Sequence, residues 1–370
     1  MKKVILLLSF LSLFLVSCEY GSKLSRSTGQ ADTSWAMLSF EKADGANPVL
    51  GPVDTLKFGC PVRGSEVKWA EKDVFNPAAV VRNDSLFLIY RAEDVVGRHA
   101  GTSRLGMAVS TDGYHFYRYP EPILYPNNDP QKTWEWEGGV EDPRVVETAD
   151  GRYIMTYTAY DGDKARLFTA SSDDLFHWQK HGSAFGNGKY LDLWTKSGAI
   201  VCRRLGDKLV AEKIKGQYWM YWGDENIYLA TSKDLLHWIP VEEADALKVI
   251  LPYRPAYFDS GLVEPGPPAL ITEAGILLIY NGKNAGPQPD PSLPDGTYSA
   301  GQALFSLKDP QKLTGRLERD FFRPDKDYEI TGQVDNVVFL EALAPFRGQW
   351  FLYYGTADSK IAVAVAGAGR

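Results

Sequence analysis

Short apolar runs that close on Tyr-x-(Gly/Ala) recur five times along the chain: Tyr90-Arg91-Ala92, Tyr157-Thr158-Ala159, Tyr221-Trp222-Gly223, Tyr280-Asn281-Gly282 and Tyr353-Tyr354-Gly355. Each follows a stretch of strand formers such as Leu86-Phe87-Leu88-Ile89 or Ile276-Leu277-Leu278-Ile279. Runs of this length and composition between turn formers read as strands. The copies lie 67, 64, 59 and 73 residues apart, longer than common solenoid periods. That spacing predicts an all-β protein, a five-bladed β-propeller of four-stranded blades with long loops.

A second repeat agrees. Ala-x-Ser-x-Asp, with an aromatic four residues on, occurs at Ala108/Ser110/Asp112/Phe116, Ala170/Ser172/Asp174/Trp178 and Ala230/Ser232/Asp234/Trp238. Small and polar residues alternate into a turn where the Asp is expected to accept backbone amides and the aromatic to pack between blades. The fourth copy is degraded, and the fifth stops at Ala362-Val363-Ala364. A chain ending in mid-blade calls for a closing strand from near its other terminus.

Residues 1–18 pattern as a lipoprotein signal peptide: Lys2-Lys3, an apolar run from Val4 to Leu15, then Leu15-Val16-Ser17-Cys18, where Cys18 would carry the lipid. Residues 19–34 are polar and read as a flexible tether, leaving 35–370 as one propeller domain. The expected location is the bacterial cell envelope, on its periplasmic or outer-membrane face, with the lipid anchor as the one membrane contact. A net charge of −7 without a basic run argues against nucleic acid and polyanionic ligands. His115, His177 and His237 share one slot in separate blades, so they are structural, and no metal-ligand spacing is present. Cys60 and Cys202 are expected as unpaired buried thiols. Oligomeric state is not legible.

The strand before each Tyr-x-(Gly/Ala) strand should line the propeller axis. Four of these begin with polar residues: Asn76-Pro77, Glu141-Asp142-Pro143-Arg144, Glu264-Pro265 and Asp335-Asn336. The third, Lys196-Ser197-Gly198, is weaker. Any one of these is an ordinary turn former. Their recurrence at equivalent strand ends puts carboxylates and amides around one pocket, as sugar recognition and acid/base chemistry require.

Gly139-Val140-Glu141-Asp142-Pro143-Arg144, Asn47-Pro48-Val49-Leu50-Gly51-Pro52, Ser103-Arg104-Leu105-Gly106, Asn336-Val337-Val338-Phe339 and Tyr353-Tyr354-Gly355-Thr356-Ala357-Asp358 together resemble glycoside hydrolase family 130. The resemblance covers about residues 35 to 370. It implies a five-bladed propeller acting on β-mannosides with inversion, with no cofactor, as a phosphorylase or a hydrolase. It implies Asp142 as general acid, Asn76, Arg91 and Asp358 on the terminal mannose together with Glu141, and Arg104 reaching the next sugar. Where the phosphorylases carry the phosphate-binding Arg and His, this chain has Trp222 and Asn281, also candidate sugar contacts. Losing those charge-assisted contacts removes roughly 1.5–3 kcal/mol each. Glu225 and Glu264 match the residues that β-1,2-mannosidases of the family place in the vacated site, one as base and one orienting water.

The expectation is therefore an exo-acting inverting β-mannosidase for β-1,2-linked mannosides. The rivals are a phosphorylase binding phosphate through Lys283, Arg203 or Arg204, a non-catalytic glycan-binding lipoprotein, and a five-bladed arabinosidase or fructosidase. Trp134 and Trp136 are further candidates for stacking on sugar rings.

Overall fold

Each Tyr-x-(Gly/Ala) copy lies on or at the end of the second long strand of an antiparallel sheet, paired with the apolar strand that precedes it. The computed structural model describes residues 32–99 and 101–367; residues 1–31, with Cys18 and most of the 19–34 segment, lie outside the described residues. The described chain is all-β, with two helical turns at Lys132–Glu135 and Asp327–Ile330.

The first sheet runs Asp73–Arg82, Ser85–Glu93, Ser103–Ser110 and Tyr117–Arg118. The second runs Gly139–Glu147, Tyr153–Tyr160, Ala165–Ser172 and Gln179–Ser183. The third is built on Ala199–Leu205, Tyr218–Trp222, Tyr228–Ser232 and Trp238–Pro240, with Lys208–Ala211 as an added hairpin strand. In the fourth, Leu262–Pro265 and Ala269–Ile271 pair with Ile276–Lys283, followed by Tyr298–Ser306 and Asp309–Arg316. The fifth has Val338–Phe346, Gln349–Thr356 and Lys360–Gly367, and Glu41–Lys42 adds its last strand. Glu41 opposes Val365 and Lys42 opposes Ala364. A strand from near the other terminus thus completes the sheet, as expected. Neighbouring sheets meet in parallel where the hairpin strand of the third pairs with the second at Val210–Glu147 and its first strand pairs with the fourth at Val201–Ala269.

The repeated tyrosines are buried, and the hydroxyls of four of them fasten neighbouring segments. Tyr157 donates to Glu135 at 2.7 Å, Tyr221 to the Pro310 carbonyl at 2.8 Å, Tyr280 to Asp259 at 2.8 Å and Tyr353 to the Gly113 carbonyl at 2.7 Å. The second repeat behaves as its chemistry dictates. Asp112, Asp174 and Asp234 each accept two backbone amides of the following turn. Their second oxygens meet Nδ1 of His115, His177 and His237 at 2.8, 2.7 and 2.9 Å, so the three histidines hold turns. Cys60 and Cys202 are free and buried.

The first strands do not enter their sheets straight. Register slips at Phe75/Pro77 and Glu141/Arg144 mark β-bulges. The bulged residues Asn76 and Asp142 hold φ of 45° and 49°, and Ser197 and Asn336 stand at 59° just ahead of their strands. Non-glycine residues in this region are strained, and bulges re-aim side chains.

Candidate active site

These strained entries converge on a small cavity of about 100 Å³ walled by Asn76, Arg91, Asp142, Lys196, Glu264 and Asp358, with Phe75, Tyr298 and Phe339 as its apolar sides. The bulge at Asn76 aims its amide at Asp142, donating to Oδ1 at 2.9 Å. Arg91, from the adjoining strand, reaches the same oxygen at 3.3 Å and lies over the Phe75 ring. Its guanidinium also contacts Glu93 at 2.6 Å and Glu141 at 2.9 Å, and Nε donates to Ser103 at 3.1 Å. Arg91 therefore ties three carboxylates into one wall.

Lys196 forms the opposite contact. Its ammonium lies 3.6 Å from Asp142 and 3.5 Å from Glu264, and the Ser197 hydroxyl donates to Glu264. Arg144 locks the frame beneath. Its guanidinium donates to the carbonyls of Asp142, Pro265 and Gly266 at 3.3, 2.8 and 2.7 Å, joining the two strands that carry Asp142 and Glu264. Glu341, fully buried, stands 3.4 Å from Arg144.

The electrostatics separate these acids. Burial would raise the Asp142 carboxyl, but Arg91, Lys196, the Asn76 amide and Arg144 outweigh it and hold it well below the usual carboxylate range. Burial pushes Glu141 up to about 7 despite Arg91, with Asp142 adding to the rise. Burial likewise lifts Asp358 to about 6 and raises Glu264, which Lys196 opposes. Burial works against the Lys196 ammonium, yet Glu264 and Asp142 raise its pKa and keep it charged. Asp142 and Lys196 thus face each other as ions, beside acids that hold protons more readily.

Asn76, Arg91, Asp142, Glu264 and Asp358 of the expected set line the cavity, and Glu141 reaches it through Arg91. Four others stand elsewhere. Trp222 is 1% exposed, packed against Phe185 at 4.5 Å and Tyr228 at 5.0 Å. Asn281 spends its amide on the backbone of Leu340, at 2.8 and 3.0 Å. Arg104 is buried, bound to Asp94 at 2.9 Å and to Cys60 Sγ at 3.1 Å. These three were expected to touch sugar, and their polar partners or packing hold them in the protein interior instead. Glu225 has an exposed side chain outside the cavity wall, while its neighbour Asp224 turns inward. Burial raises the Asp224 carboxyl and Lys196 opposes that rise. Trp134 lies under Arg166 at 4.6 Å and Trp136 under Lys132 at 4.0 Å.

Tyr298 is a site residue that the pattern of the chain did not single out, and Lys196 stood out there only as part of the weakest strand entry. That position is the one signal Lys196 leaves.

A small polar cavity with carboxylates on facing walls and cations between them is equipped to move protons on a neutral polyol. Such an arrangement has the chemistry that a glycoside-active enzyme needs. The chain belongs to glycoside hydrolase family 130: the family model described as β-1,4-mannooligosaccharide phosphorylase matches residues 55–368. It is 33% identical to a 1,2-β-oligomannan phosphorylase of Thermoanaerobacter sp. (strain X514), over 81% of this chain and 92% of the relative. A glycosyl hydrolase from Bacteroides ovatus is 46% identical with a TM-score of 0.88, covering 91% of this chain and 95% of that one. A further structure belongs to work on family members that are hydrolases targeting β-1,2 mannosidic linkages in Candida mannan. It is 45% identical with a TM-score of 0.88, covering 91% of this chain and 98% of that one.

Proposed function

We propose that this protein is an exo-acting inverting β-mannosidase that hydrolyses β-1,2-linked mannosides, with the sheets arranged as a five-bladed β-propeller around the cavity. The observation that carries the reading is Lys196 between Asp142 and Glu264. Its two contacts limit the separation of those carboxylate oxygens to about 7 Å, their sum, which reaches the spacing that admits a water between acid and base. The small volume of the cavity suits one terminal sugar rather than a long chain.

In this mechanism Asn76, Arg91, Glu141 and Asp358 hold the terminal mannose. Its hydroxyls compete for the Asn76 and Arg91 donors, which loosens their grip on Asp142 and raises its affinity for a proton. Asp142 gives that proton to the glycosidic oxygen as the bond to the anomeric carbon breaks. Water attacks the opposite face and loses its proton to a carboxylate, Glu264 from the cavity wall or Glu225 from the adjoining loop. Mannose leaves with inverted configuration. The neighbouring sugar leaves carrying the proton from Asp142.

The local charge supports water over phosphate as acceptor. Asp142, Glu264 and Asp358 line the cavity with Arg91 and Lys196, and the acids Glu93, Glu141, Asp224 and Glu341 behind them outnumber the cations Arg144 and Lys72 there. A phosphate dianion would enter an excess of negative charge. Arg203 is paired with Glu212 and Arg204 lies over Trp350. The second reading, a phosphorylase, is favoured by Lys196 itself, a cation at the position where an anion would be held. The test is to incubate protein starting after Cys18 with β-1,2-mannobiose, with and without phosphate, and follow products by NMR. Equal rates with α-mannose formed first are expected. Mannose 1-phosphate formed only with phosphate would overturn the hydrolase.

The signal-peptide pattern and Cys18 further support an envelope lipoprotein, anchored by lipid and meeting mannoside oligosaccharides outside the cytoplasm. Among the described residues no helix is long and apolar enough to cross a membrane.

A further inference from the structure

Of the ten tryptophans, Trp194 is the exposed one among the described residues, with 46% of its surface open to solvent. An indole on the surface has no packing reason to be fixed, yet this one is held at both edges. Its Nε1–H donates to Asp224 Oδ2 at 2.6 Å, and its ring meets the edge of Tyr160 at 6.4 Å between centroids. Tyr160 in turn packs against the His99 ring at 6.1 Å.

Both anchors lie on segments that run beside the cavity residues. Trp194 precedes Lys196 by two residues, a backbone span of at most about 7 Å. The carbonyl of Lys196 accepts the Gly223 amide at 3.0 Å, so the segment carrying Trp194 runs beside the one carrying Asp224. Tyr160 opposes Gly139 across the sheet, two residues before Glu141. A Cβ at Gly138 would stand 2.3 Å from the Tyr160 carbonyl oxygen and 2.6 Å from its ring Cδ1, so that ring lies close against the strand entry.

We propose that Trp194, fixed by Asp224 and flanked by Tyr160 and His99, is the platform on which the pyranose on the leaving-group side stacks. This rests on the mannosidase reading. An indole face offers the apolar contact that the C–H groups of a sugar ring need, and the carboxylate, phenol and imidazole around it suit hydroxyls. Because Asp224 both holds Trp194 and faces Lys196, the platform is tethered to the cation between the two proposed catalytic carboxylates. The linkage that fits is the one whose second ring lies flat on the indole while its glycosidic oxygen reaches Asp142. Trp194 is thereby a specificity-determining residue rather than a catalytic one.

The experiment compares β-1,2-mannobiose with β-mannosyl fluoride, whose leaving group is too small to reach a platform. In Trp194→Ala the ratio of kcat/KM for mannobiose to that for the fluoride is expected to fall on the order of tenfold, mostly through KM, with Trp194→Phe intermediate. A fall that is the same for both substrates overturns the platform. Binding is followed separately by tryptophan fluorescence in the Asp142→Asn background. A saturable change with mannobiose that Trp194→Ala abolishes supports the proposal. The same change in both proteins, or none in either, overturns it. If the wild-type enzyme cleaves neither compound, the mannosidase reading fails, and the fluorescence titration decides the platform by itself.

Discussion

Gly355 lies so close to Asn76 that a Cβ on the glycine would stand 2.3 Å from the Asn76 amide oxygen. The glycine of the Tyr-x-Gly repeat in the fifth sheet therefore makes room for the residue that donates to Asp142. Gly355→Ala is expected to displace the Asn76 amide and lower kcat/KM by about tenfold or more, the loss of one hydrogen bond to a charged group. Stability should change by only about 1 kcal/mol. Denaturant unfolding run beside the kinetics separates the two effects. A variant that unfolds in proportion to its lost activity would argue against this role.

Asp142→Asn removes the proposed proton donor and keeps the shape of the side chain. A general acid typically contributes 10²–10⁴-fold, so kcat should drop by roughly that factor while mannobiose still binds. Calorimetric titration of the variant measures the second half of the expectation.

Removing the ammonium with Lys196→Met leaves Asp142 and Glu264 facing each other without their shared counter-ion. Breaking a buried ion pair from one side costs on the order of 3 kcal/mol. Thermal unfolding should show that loss at neutral pH and a smaller one in acid, where Glu264 takes a proton. Equal losses at both pH values would mean that Lys196 matters through packing alone.

Glu264 and Glu225 differ in setting: one lies in the cavity wall, the other on an exposed loop. Glu264→Ala should therefore cost more in kcat than Glu225→Ala, by at least about tenfold if Glu264 is the base. Added azide should restore turnover in the variant that has lost the base, yielding α-mannosyl azide.

Asp358 carries a pH signature. Its carboxyl is raised to about 6, first by burial and then by Asp142, so near pH 5 the folded protein holds a proton that the unfolded chain has already released. Its contribution to stability is greatest at low pH and is lost as pH rises through about 6. An ionised Asp358 is the better acceptor for mannose hydroxyls, so kcat/KM should climb across the same interval. Asp358→Asn should remove both trends, read from pH profiles of unfolding and of turnover.

The strands of this protein are legible because short apolar runs between turn formers, and small–polar alternation leading into turns, survive in the sequence: the runs before Tyr90 and Tyr280 are strands, and Ser110–Asp112 forms its turn. Asn76, Asp142 and Glu264 could be picked out because each is a polar residue before a proline at the head of an apolar strand. Lys196 could not, since its meaning lies in two carboxylates carried by other sheets. Trp222 and Asn281 show the converse. Each stands at a slot where a ligand contact was expected, yet the side chain turns to Phe185 in one case and to the Leu340 backbone in the other. One-dimensional position gives the slot, while three-dimensional neighbours decide what fills it.

The pairing of Glu41–Lys42 with Lys360–Gly367 bears on when the molecule can exist at all. Asn47 adds to it, exchanging hydrogen bonds with Val363 across 316 positions of sequence. An early strand must wait for a very late one, and the loop between them contains every residue of the cavity. Contacts this distant form slowly, because a long loop must close before they return any energy. The cavity that holds Asp142 and Glu264 therefore matures only after nearly the whole chain has been delivered, and a nascent fragment of it has no chemistry to perform.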